Sequence, residues 1–358
     1  MTTDVELAAP AYLPRRVPGS PTRIGLVGCG FISGMHLAAY RDAGYHVTVL
    51  CDRTLAKAEA RRDEFFPDAE ATDDYEAFLA RDDVDVVDIA THVNGRPELV
   101  RRALRTGHHV LSQKPFVRDL DEGAELVALA REVDRVLAVN HNGRWAPHFA
   151  AALAVIRRGD IGEVVSADFA VYWPHDKEFA DDPHFSTMQD LVVFDFGIHW
   201  FDIIGQMLAG AGPATRVYAA ERKRPGAVIA VPTDVEVLIE YSQAAATILF
   251  RAASPRRESG GFRIEGTRGT IVHFGESLGG SDLVIETDAG QLRIDLEGTW
   301  FSNGMLGAMS EVLWAVQEQT TPSNDAETAL AGLELAYAAQ ESLRTATPVV
   351  PGTVRAQS

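Results

Sequence analysis

The stretch RIGLVGCGFIS, residues 23–33, joins an apolar strand pattern directly to a glycine-rich turn. Gly28, Gly30 and Ser33 stand at the spacing of a G-x-G-x-x-G motif, with serine as the small third residue. The first glycine permits a tight turn, the second lets a pyrophosphate approach the backbone, and the third position needs a small residue where helix meets strand. A dinucleotide pyrophosphate would then lie at the N-terminus of a helix beginning near Phe31.

The end of the next strand pattern bears on which dinucleotide fits this turn. HVTVLCD, residues 46–52, ends at Asp52, 24 residues after Gly28. A carboxylate at this place accepts hydrogen bonds from an adenosine ribose and repels a 2′-phosphate, which favours NAD. The following residue, Arg53, is of the type that holds the extra phosphate of NADP, so the sequence also admits NADP.

The first half of the chain alternates strand patterns with amphipathic segments. The strand patterns are RIGLVG, HVTVLCD, VDVVDIA, HHVLSQ and VLAVN. One helix between them is predicted over residues 97–106, opened by Pro97 and closed by Gly107. Strands that alternate with helices form a parallel sheet covered on both faces. We therefore predict an α/β protein in which an irregular arm, residues 1–21, precedes a doubly wound domain over residues 22–143.

From about residue 144 the pattern changes to that of a second domain. A helix is predicted from Pro147 to Arg158, followed by a long strand over EVVSADFAVYW. The later strand patterns are ATRVYAAER, DVEVLIEYS, AAATILFRA, FRIEGTRGTIVHF, DLVIET and QLRIDL. These segments pair as hairpins and favour a large, mainly antiparallel sheet in a C-terminal domain of residues 144–358. Helices over residues 303–319 and 325–345 close the chain.

Composition and charge narrow the class of protein and partner. The chain has 358 residues, 46% hydrophobic and 23% charged, which is ordinary for a two-domain globular enzyme. A formal net charge of −18 repels phosphate backbones and anionic lipid, so neither nucleic acid nor a membrane is expected as a main partner. Cys29 and Cys51 are too few for a disulfide framework, which favours a cytoplasmic location. The pair Arg15 and Arg16 lacks the apolar segment that an export signal needs.

The stretch FDFGIHWFD, residues 194–202, places three ionisable side chains among apolar ones. In a single helix, Asp195, His199 and Asp202 would lie along one stripe. That stripe fits a metal site, an acid/base pair, or a core histidine with satisfied hydrogen bonds. A metal is not expected, because Asp195 and His199 supply only two plausible ligands and no H-E-x-x-H pattern or cysteine cluster is present.

Further polar side chains follow the strand patterns at the expected ligand crevice. In a doubly wound fold the carboxyl ends of the strands line that crevice, which places Lys114 near the nicotinamide end. Candidates for substrate contact are Lys114, Asn140, His141, Arg144, Trp173, Asp195 and His199. A structural ion pair is an alternative for Arg144, and a core position is an alternative for Trp173. The polar and aromatic insert over residues 173–191 favours a lid or specificity loop.

Taken together, these segments resemble the Gfo/Idh/MocA family, the glucose-fructose oxidoreductase and inositol dehydrogenase group. The matching pieces are GLVGCGFIS, THVNGRPELVRRALRTGHHVLSQKP, NGRWAP, DFGIHWFD and IEGTRGTI. The resemblance implies an N-terminal Rossmann domain and a C-terminal α/β domain whose open sheet commonly mediates homodimers or homotetramers. It implies that helix 325–345 packs back on the Rossmann domain. It also implies that Lys114, Asp195 and His199 form the catalytic group.

The sequence departs from the family pattern at two places. Gln113 stands where the family has a glutamate before the lysine, which removes a negative neighbour. Thr91 is followed by His92 instead of proline, and Arg96 stands where a later histidine falls, so this loop's cofactor contacts are not carried over. The residues expected to contact the cofactor are Gly28, Gly30, Phe31, Ile32, Asp52, Arg53, Thr91, Asn94 and Lys114.

The chemistry of the catalytic group favours hydride transfer to NAD or NADP. His199 suits the role of general base, Lys114 would stabilise the negative charge that develops on the same oxygen, and Asp195 would hold a substrate hydroxyl. We therefore expect a dehydrogenase that acts on a secondary hydroxyl of a sugar, glycoside or cyclitol. Two alternatives stay open: a redox-elimination cleavage of a glycoside that regenerates NAD, and a non-catalytic nucleotide-binding regulator.

Overall fold

A computed structural model describes residues 7–275 and 282–355, which form two compact units. The unit that we call the parallel-sheet unit contains Pro14–Trp145 and Phe301–Leu330. The antiparallel-sheet unit contains Ala146–Trp300 and Ala331–Val354. The described part of the predicted arm, residues 7–21, has neither helix nor strand, and residues 1–6 of that prediction lie outside the described residues.

The first unit is built on a six-stranded parallel sheet. Its strands are β1 (Arg23–Val27), β2 (His46–Cys51), β3 (Glu70–Thr72), β4 (Val86–Ile89), β5 (His109–Gln113) and β6 (Leu137–Asn140). They lie in the order β3-β2-β1-β4-β5-β6, and every pair is parallel. The order reverses between β1 and β4, which confirms the doubly wound Rossmann fold. Strand β3 was not predicted, since three residues, EAT, carry too little apolar pattern to stand out.

Helices cover both sides of this sheet. They are α1 (Phe31–Ala43), α2 (Leu55–Phe65), α3 (Tyr75–Leu79), α4 (Arg96–Arg105) and α5 (Leu120–Glu132). Helix α1 starts at Phe31, as predicted, and ends at Gly44, whose left-handed backbone accommodates the C-cap. Its buried residues Leu37 and Tyr40 pack in one apolar cluster with Leu26 of β1. Met305 and Met309, which follow Phe301 in the same unit, complete this cluster.

The second unit is built on an eight-stranded sheet. Its strands are β7 (Val164–Tyr172), β8 (Ala214–Arg222), β9 (Asp234–Tyr241), β10 (Ala245–Arg251), β11 (Ser259–Gly266), β12 (Gly269–Gly275), β13 (Asp282–Thr287) and β14 (Gly290–Asp295). The order is β14-β13-β12-β11-β7-β10-β9-β8. Only the pair β7 and β10 is parallel among these described strands, which confirms the mainly antiparallel prediction.

One face of this sheet is packed and the other is open. On the packed face, Phe169 and Phe262 contact Phe149 of α6 (Pro147–Arg158), at ring-centroid distances of 6.2 and 5.6 Å. On the open face, Tyr218, Leu238 and Phe274 keep 42%, 39% and 66% of their surface accessible. Strand residues therefore alternate between core and surface, as an antiparallel sheet with one covered face requires.

The remaining helices complete the two units. They are α7 (His175–Glu178), α8 (Pro183–Ser186), α9 (Ile198–Met207), α10 (Trp300–Glu318) and α11 (Ala326–Thr345). Among the described residues, none of the helices has the length and apolar character needed to cross a membrane.

Candidate active site

The glycine-rich turn between β1 and α1 has one closed side and one open side. Gly28 has φ +96°, and a Cβ there would lie 2.8 Å from Thr91 Cγ2 and 3.0 Å from the Ala90 carbonyl group. A Cβ on Gly30 would meet nothing within 4 Å. Gly30 is also the N-cap residue of α1 and brings no capping side chain. At Gly30, the start of α1 therefore has neither a side chain nor a close neighbouring atom that would obstruct a pyrophosphate.

Two polar side chains fix the shape of this turn. Ser33 is fully buried, and its hydroxyl donates to the Gly30 carbonyl oxygen at 2.6 Å. Asp52 accepts the backbone N–H of Cys29 at 2.8 Å through Oδ2 and that of Thr54 at 2.9 Å through Oδ1. The Asp52 carboxylate is thus held in a single orientation beside the turn, where an adenosine ribose would be bound.

The thiol of Cys29 stays neutral beside this turn. Burial, followed by the nearby Asp52 carboxylate, raises its pKa to about 12. A neutral thiol adds no negative charge next to a bound pyrophosphate.

Other predicted cofactor contacts lie on the surface of the parallel-sheet unit. Phe31 is 80% exposed, and Arg53 and Asn94 are exposed as well. Arg61 of α2 was not predicted, although its Nη2 donates to the Gly30 carbonyl oxygen at 3.2 Å. No sequence pattern indicates this contact, because Arg61 lies 31 residues after Gly30 in the chain.

Lys114 directly follows β5, so it lies at the carboxyl ends of the parallel strands, as the glycine-rich turn after β1 does. Its backbone N–H donates to Oε1 of Gln113 at 2.6 Å, and the Lys114–Pro115 peptide bond is cis. The buried Arg96 donates to the carbonyl oxygens of this loop and of Thr91. The structure thus brings Thr91 and the Lys114 backbone to one place in the parallel-sheet unit.

A buried polar chain lies behind this loop. His36 Nδ1 lies 2.8 Å from Asp88 Oδ2, and the Tyr40 hydroxyl donates to the same oxygen at 2.7 Å. On its other side, His36 Nε2 lies 3.2 Å from Gln113 Nε2 and 3.0 Å from Asn140 Nδ2. Because Oε1 of Gln113 accepts the Lys114 N–H, its Nε2 donates to His36, which assigns the imidazole proton to Nδ1. Burial and Asp88 raise the pKa of Tyr40, which keeps this hydroxyl a donor.

This polar chain was not predicted, although the sequence carried a signal for it. His36 and Tyr40 are spaced four apart in an apolar helix pattern, and Asp88 interrupts the apolar strand VVDIA. A polar residue that occurs within a buried apolar segment is usually hydrogen-bonded.

Three of the predicted substrate residues are buried in the parallel-sheet unit. Asn140 and His141 have no accessible surface, and Asn140 donates to His36 and to the sulfur of Met305. Arg144 is 5% exposed and donates to the carbonyl oxygen of Ser323 and, at 3.2 Å, to Oγ1 of Thr328. These contacts give Asn140 and Arg144 structural tasks within the unit.

Residues 194–202 are largely helical, as predicted, but they do not form one regular α-helix. Leu191–Phe196 forms a π-helical segment, α9 begins only at Ile198, and the N–H of Gly197 donates to the Val192 carbonyl oxygen at 2.7 Å. This wider turn adds a residue to the helical segment that contains Asp195, whereas His199 and Asp202 lie on the regular helix α9. It requires Gly197, because a Cβ there would lie 2.6 Å from the Val192 oxygen.

His199 is placed by aromatic side chains of its own unit. It is 9% exposed, and its ring packs edge-on against Trp300 at a centroid distance of 5.5 Å and against Trp200 at 6.5 Å. Asp202, one turn further along α9, is 2% exposed. Asp195 lies at the end of the π-helical segment and is partly exposed. His199 is thus buried against aromatic rings, while Asp195 is partly exposed.

The insert over residues 173–191 packs on its own unit. Helices α7 and α8 lie within it, and Asp176 accepts the N–H of Val228 at 3.0 Å. The ring of His175 contacts those of Phe179 at 4.4 Å and Phe196 at 4.2 Å. Phe196 directly follows Asp195, so this aromatic cluster adjoins a predicted catalytic residue. Within residues 7–275 and 282–355, no group of three or more His, Cys, Asp or Glu side chains is arranged to hold a metal ion.

Two models of protein families match the chain over most of its length. Residues 22–141 match a model described as oxidoreductase family, NAD-binding Rossmann fold. Residues 149–272 match the GFO/IDH/MocA C-terminal domain.

Two named dehydrogenases are similar to parts of the chain. The D-apiose dehydrogenase of Paraburkholderia graminis is 29% identical over 252 residues, which cover 69% of this chain and 66% of that protein. The inositol 2-dehydrogenase of Corynebacterium glutamicum is 27% identical over 206 residues, or 57% of each chain.

Solved structures show the same fold. An oxidoreductase from Agrobacterium radiobacter, in complex with NAD+, L-tartaric acid and magnesium, superposes with a TM-score of 0.82 at 23% identity, over 92% of this chain and 98% of that one. A levoglucosan dehydrogenase, in complex with NADH and levoglucosan, superposes with a TM-score of 0.79 at 19% identity, over 93% and 100% of the two chains.

Proposed function

The chain belongs to the Gfo/Idh/MocA family of NAD-binding oxidoreductases, and we propose that it oxidises a secondary hydroxyl of a sugar, glycoside or cyclitol. The observation that carries this proposal is the turn at Gly28 and Gly30, which is open where a pyrophosphate would approach and flanked by the fixed Asp52 carboxylate. The relatives named for apiose, inositol and levoglucosan support the class of substrate.

NAD is the proposed cofactor rather than NADP. Both carboxylate oxygens of Asp52 accept backbone N–H groups, so the side chain cannot swing away to admit a 2′-phosphate. The exposed Arg53 offers a positive charge but does not remove this negative one. Replacing Asp52 by Ala should lower the preference for NAD over NADP about 10- to 100-fold, measured as the ratio of the two dissociation constants. An unchanged ratio would remove Asp52 from cofactor selection.

The proposed chemistry divides the roles among three side chains. Bound NAD supplies the hydride acceptor. His199 takes the proton from the substrate hydroxyl, and Lys114 donates a hydrogen bond to that oxygen as negative charge develops on it. Asp195 binds a neighbouring hydroxyl and so orients the reacting carbon.

The decisive experiment is a panel of sugars, cyclitols and glycosides with NAD and with NADP, followed by the absorbance of the reduced cofactor. Net accumulation of NADH with an equal amount of ketone supports the proposal. Lys114→Ala should abolish this turnover while NAD still binds, whereas Lys223→Ala, at an exposed lysine of the other unit, should leave it unchanged. Full activity of Lys114→Ala would refute the assignment of Lys114.

A further inference from the structure

Arg96 is an almost fully buried arginine that joins two loops of the parallel-sheet unit. It is 2% exposed and stands at the first position of α4. Its Nη1 donates to the carbonyl oxygens of Gln113 and Pro115. Its Nε and Nη2 donate to the Thr91 carbonyl oxygen at 3.1 and 2.5 Å, and Nη2 lies 3.5 Å from that of Lys114. One guanidinium group thus binds the backbone on both sides of the Lys114–Pro115 bond.

These bonds begin where the pairing of the strands ends. Strands β4 and β5 are paired up to Ile89 and Ser112, and the loops that follow them carry Thr91 and Lys114. Beyond that pair, the ladder between β4 and β5 no longer holds the two chain segments together. Arg96 takes over this task with charge-assisted hydrogen bonds, which are stronger than neutral ones and stronger still in a buried, low-dielectric environment.

The Lys114 loop is held from its other side as well. The Lys114 N–H is bound by Oε1 of Gln113, whose amide contacts His36, and His36 contacts Asp88. The backbone at Lys114 is therefore hydrogen-bonded on both sides. Gln113 accepts its N–H, and Arg96 donates to the adjoining carbonyl groups. A planar five-donor fork reaches all of these carbonyl oxygens from three nitrogen atoms, whereas a lysine has three donors on a single nitrogen and an apolar side chain has none.

We propose that Arg96 is a positioning residue, which sets the place of Lys114 and of the Thr91 loop for the bound cofactor and substrate. The proposal rests on the proposed function in that it takes Lys114 as the group that meets the reacting oxygen. The restraint of Lys114 by Arg96 does not depend on which substrate is bound, so it can be measured without enzymatic turnover.

The test compares Arg96→Met, which removes every donor, with Arg96→Lys, which keeps the charge but loses the fork. The matched control is Arg23→Met. Arg23 stands at the start of β1, at the opposite edge of the same sheet, and its guanidinium binds Asp85 at 3.0 Å and the Asp82 carbonyl oxygen at 2.6 Å. The control thus removes several arginine hydrogen bonds at the amino ends of the strands, whereas Lys114 follows the carboxyl end of β5.

The readout is the rate at which dilute acetic anhydride acetylates Lys114, taken relative to the exposed Lys57 in the same digest by peptide mass spectrometry. Loss of the restraint should raise this ratio at least about fivefold in Arg96→Met and by less in Arg96→Lys, with Arg23→Met unchanged. If Arg96→Met does not fold, the rise in Arg96→Lys decides. A ratio equal to wild type in the folded Arg96 variants overturns the proposal.

Turnover gives the second readout, with whichever compound of the panel reduces NAD. Displacement of Lys114 should lower kcat/KM about 100-fold, while the dissociation constant of NAD stays within about threefold. A loss of stability with kcat/KM no lower than in Arg23→Met would mark a merely structural arginine. If no compound reduces NAD but the acetylation ratio rises, the proposed function fails and the positioning by Arg96 stands.

Discussion

Gly197 provides a sharp test of how the π-helical segment orients the candidate site. A Cβ at this position would lie 2.6 Å from the Val192 carbonyl oxygen and 2.9 Å from that of Val193. The shorter distance is about 0.7 Å below an ordinary carbon-to-oxygen contact. Both obstacles are backbone atoms, and the Val192 oxygen also accepts the Gly197 N–H at 2.7 Å. Gly197→Ala must therefore open the wide turn, at a cost of about 1–3 kcal/mol.

The matched control is Gly205→Ala in α9, the helix for which Gly197 is the N-cap residue. A Cβ there would meet no atom within 4 Å, so alanine should stabilise the helix by about 0.5–1 kcal/mol. The same substitution, eight residues apart, is thus expected to change stability in opposite directions. For a domain of this size, a loss of 2 kcal/mol lowers Tm by roughly 4–8 °C, which calorimetry or thermal circular dichroism detects.

Gly197→Ala should also lower the catalytic activity of the protein that remains folded. If alanine changes the wide turn, Asp195, which lies inside it, shifts relative to His199 on α9. Such a displacement should lower kcat/KM at least about 100-fold with the dissociation constant of NAD unchanged, because Gly197 is not in the unit that holds the glycine-rich turn. Gly205→Ala should keep full activity. A Gly197→Ala protein that melts at the wild-type temperature and turns over normally would refute this reasoning.

Three further predictions follow from single contacts in the parallel-sheet unit. Gly30→Ala should leave Tm unchanged, since its Cβ meets nothing within 4 Å, yet weaken NAD binding at least about tenfold by fluorescence titration; unchanged binding would exclude a pyrophosphate at this turn. Burial, followed by Arg135, lowers the pKa of His109 to about 4, and its Nδ1 accepts the Val136 N–H at 3.0 Å, so the neutral form is the folded one. The stabilisation of the folded state by neutral His109 is full above about pH 6.5 and is lost as pH falls towards 4. In urea unfolding, the free energy of unfolding of wild type should fall by about 2 kcal/mol more than that of His109→Gln between pH 7 and 5. Equal decreases in the two proteins would contradict this. Burial raises the pKa of Cys29 and of Cys51 to about 12, so at pH 8 a disulfide reagent should modify native protein about 1000-fold more slowly than protein in urea; rapid native labelling would show the thiols to be exposed.

Much of the fold was predictable because its signals are local. Apolar alternation in a strand and the 3.6-residue repeat in a helix are read over a few consecutive residues, and most strands occur where their patterns predicted them. The glycine-rich turn is equally local, since Gly28, Gly30 and Ser33 lie within six positions of one another. Strand β3 was missed for the same reason, because three residues give too short a pattern.

What the sequence by itself determined is most of the strands and longer helices in their order, the Rossmann fold, and the place of the glycine-rich turn at the end of β1. What only the tertiary structure decided are contacts between residues far apart in the chain. Arg96 serves carbonyl groups 17 and 19 residues away, and His36 pairs with Asp88 across 52 residues. Hydrogen bonds of this kind depend on how strands and helices are packed, and short-range sequence patterns carry no record of that packing. The wide turn at Gly197 lies between these cases, because its glycine is visible in the sequence but the carbonyl groups that require it appear only once the chain is folded.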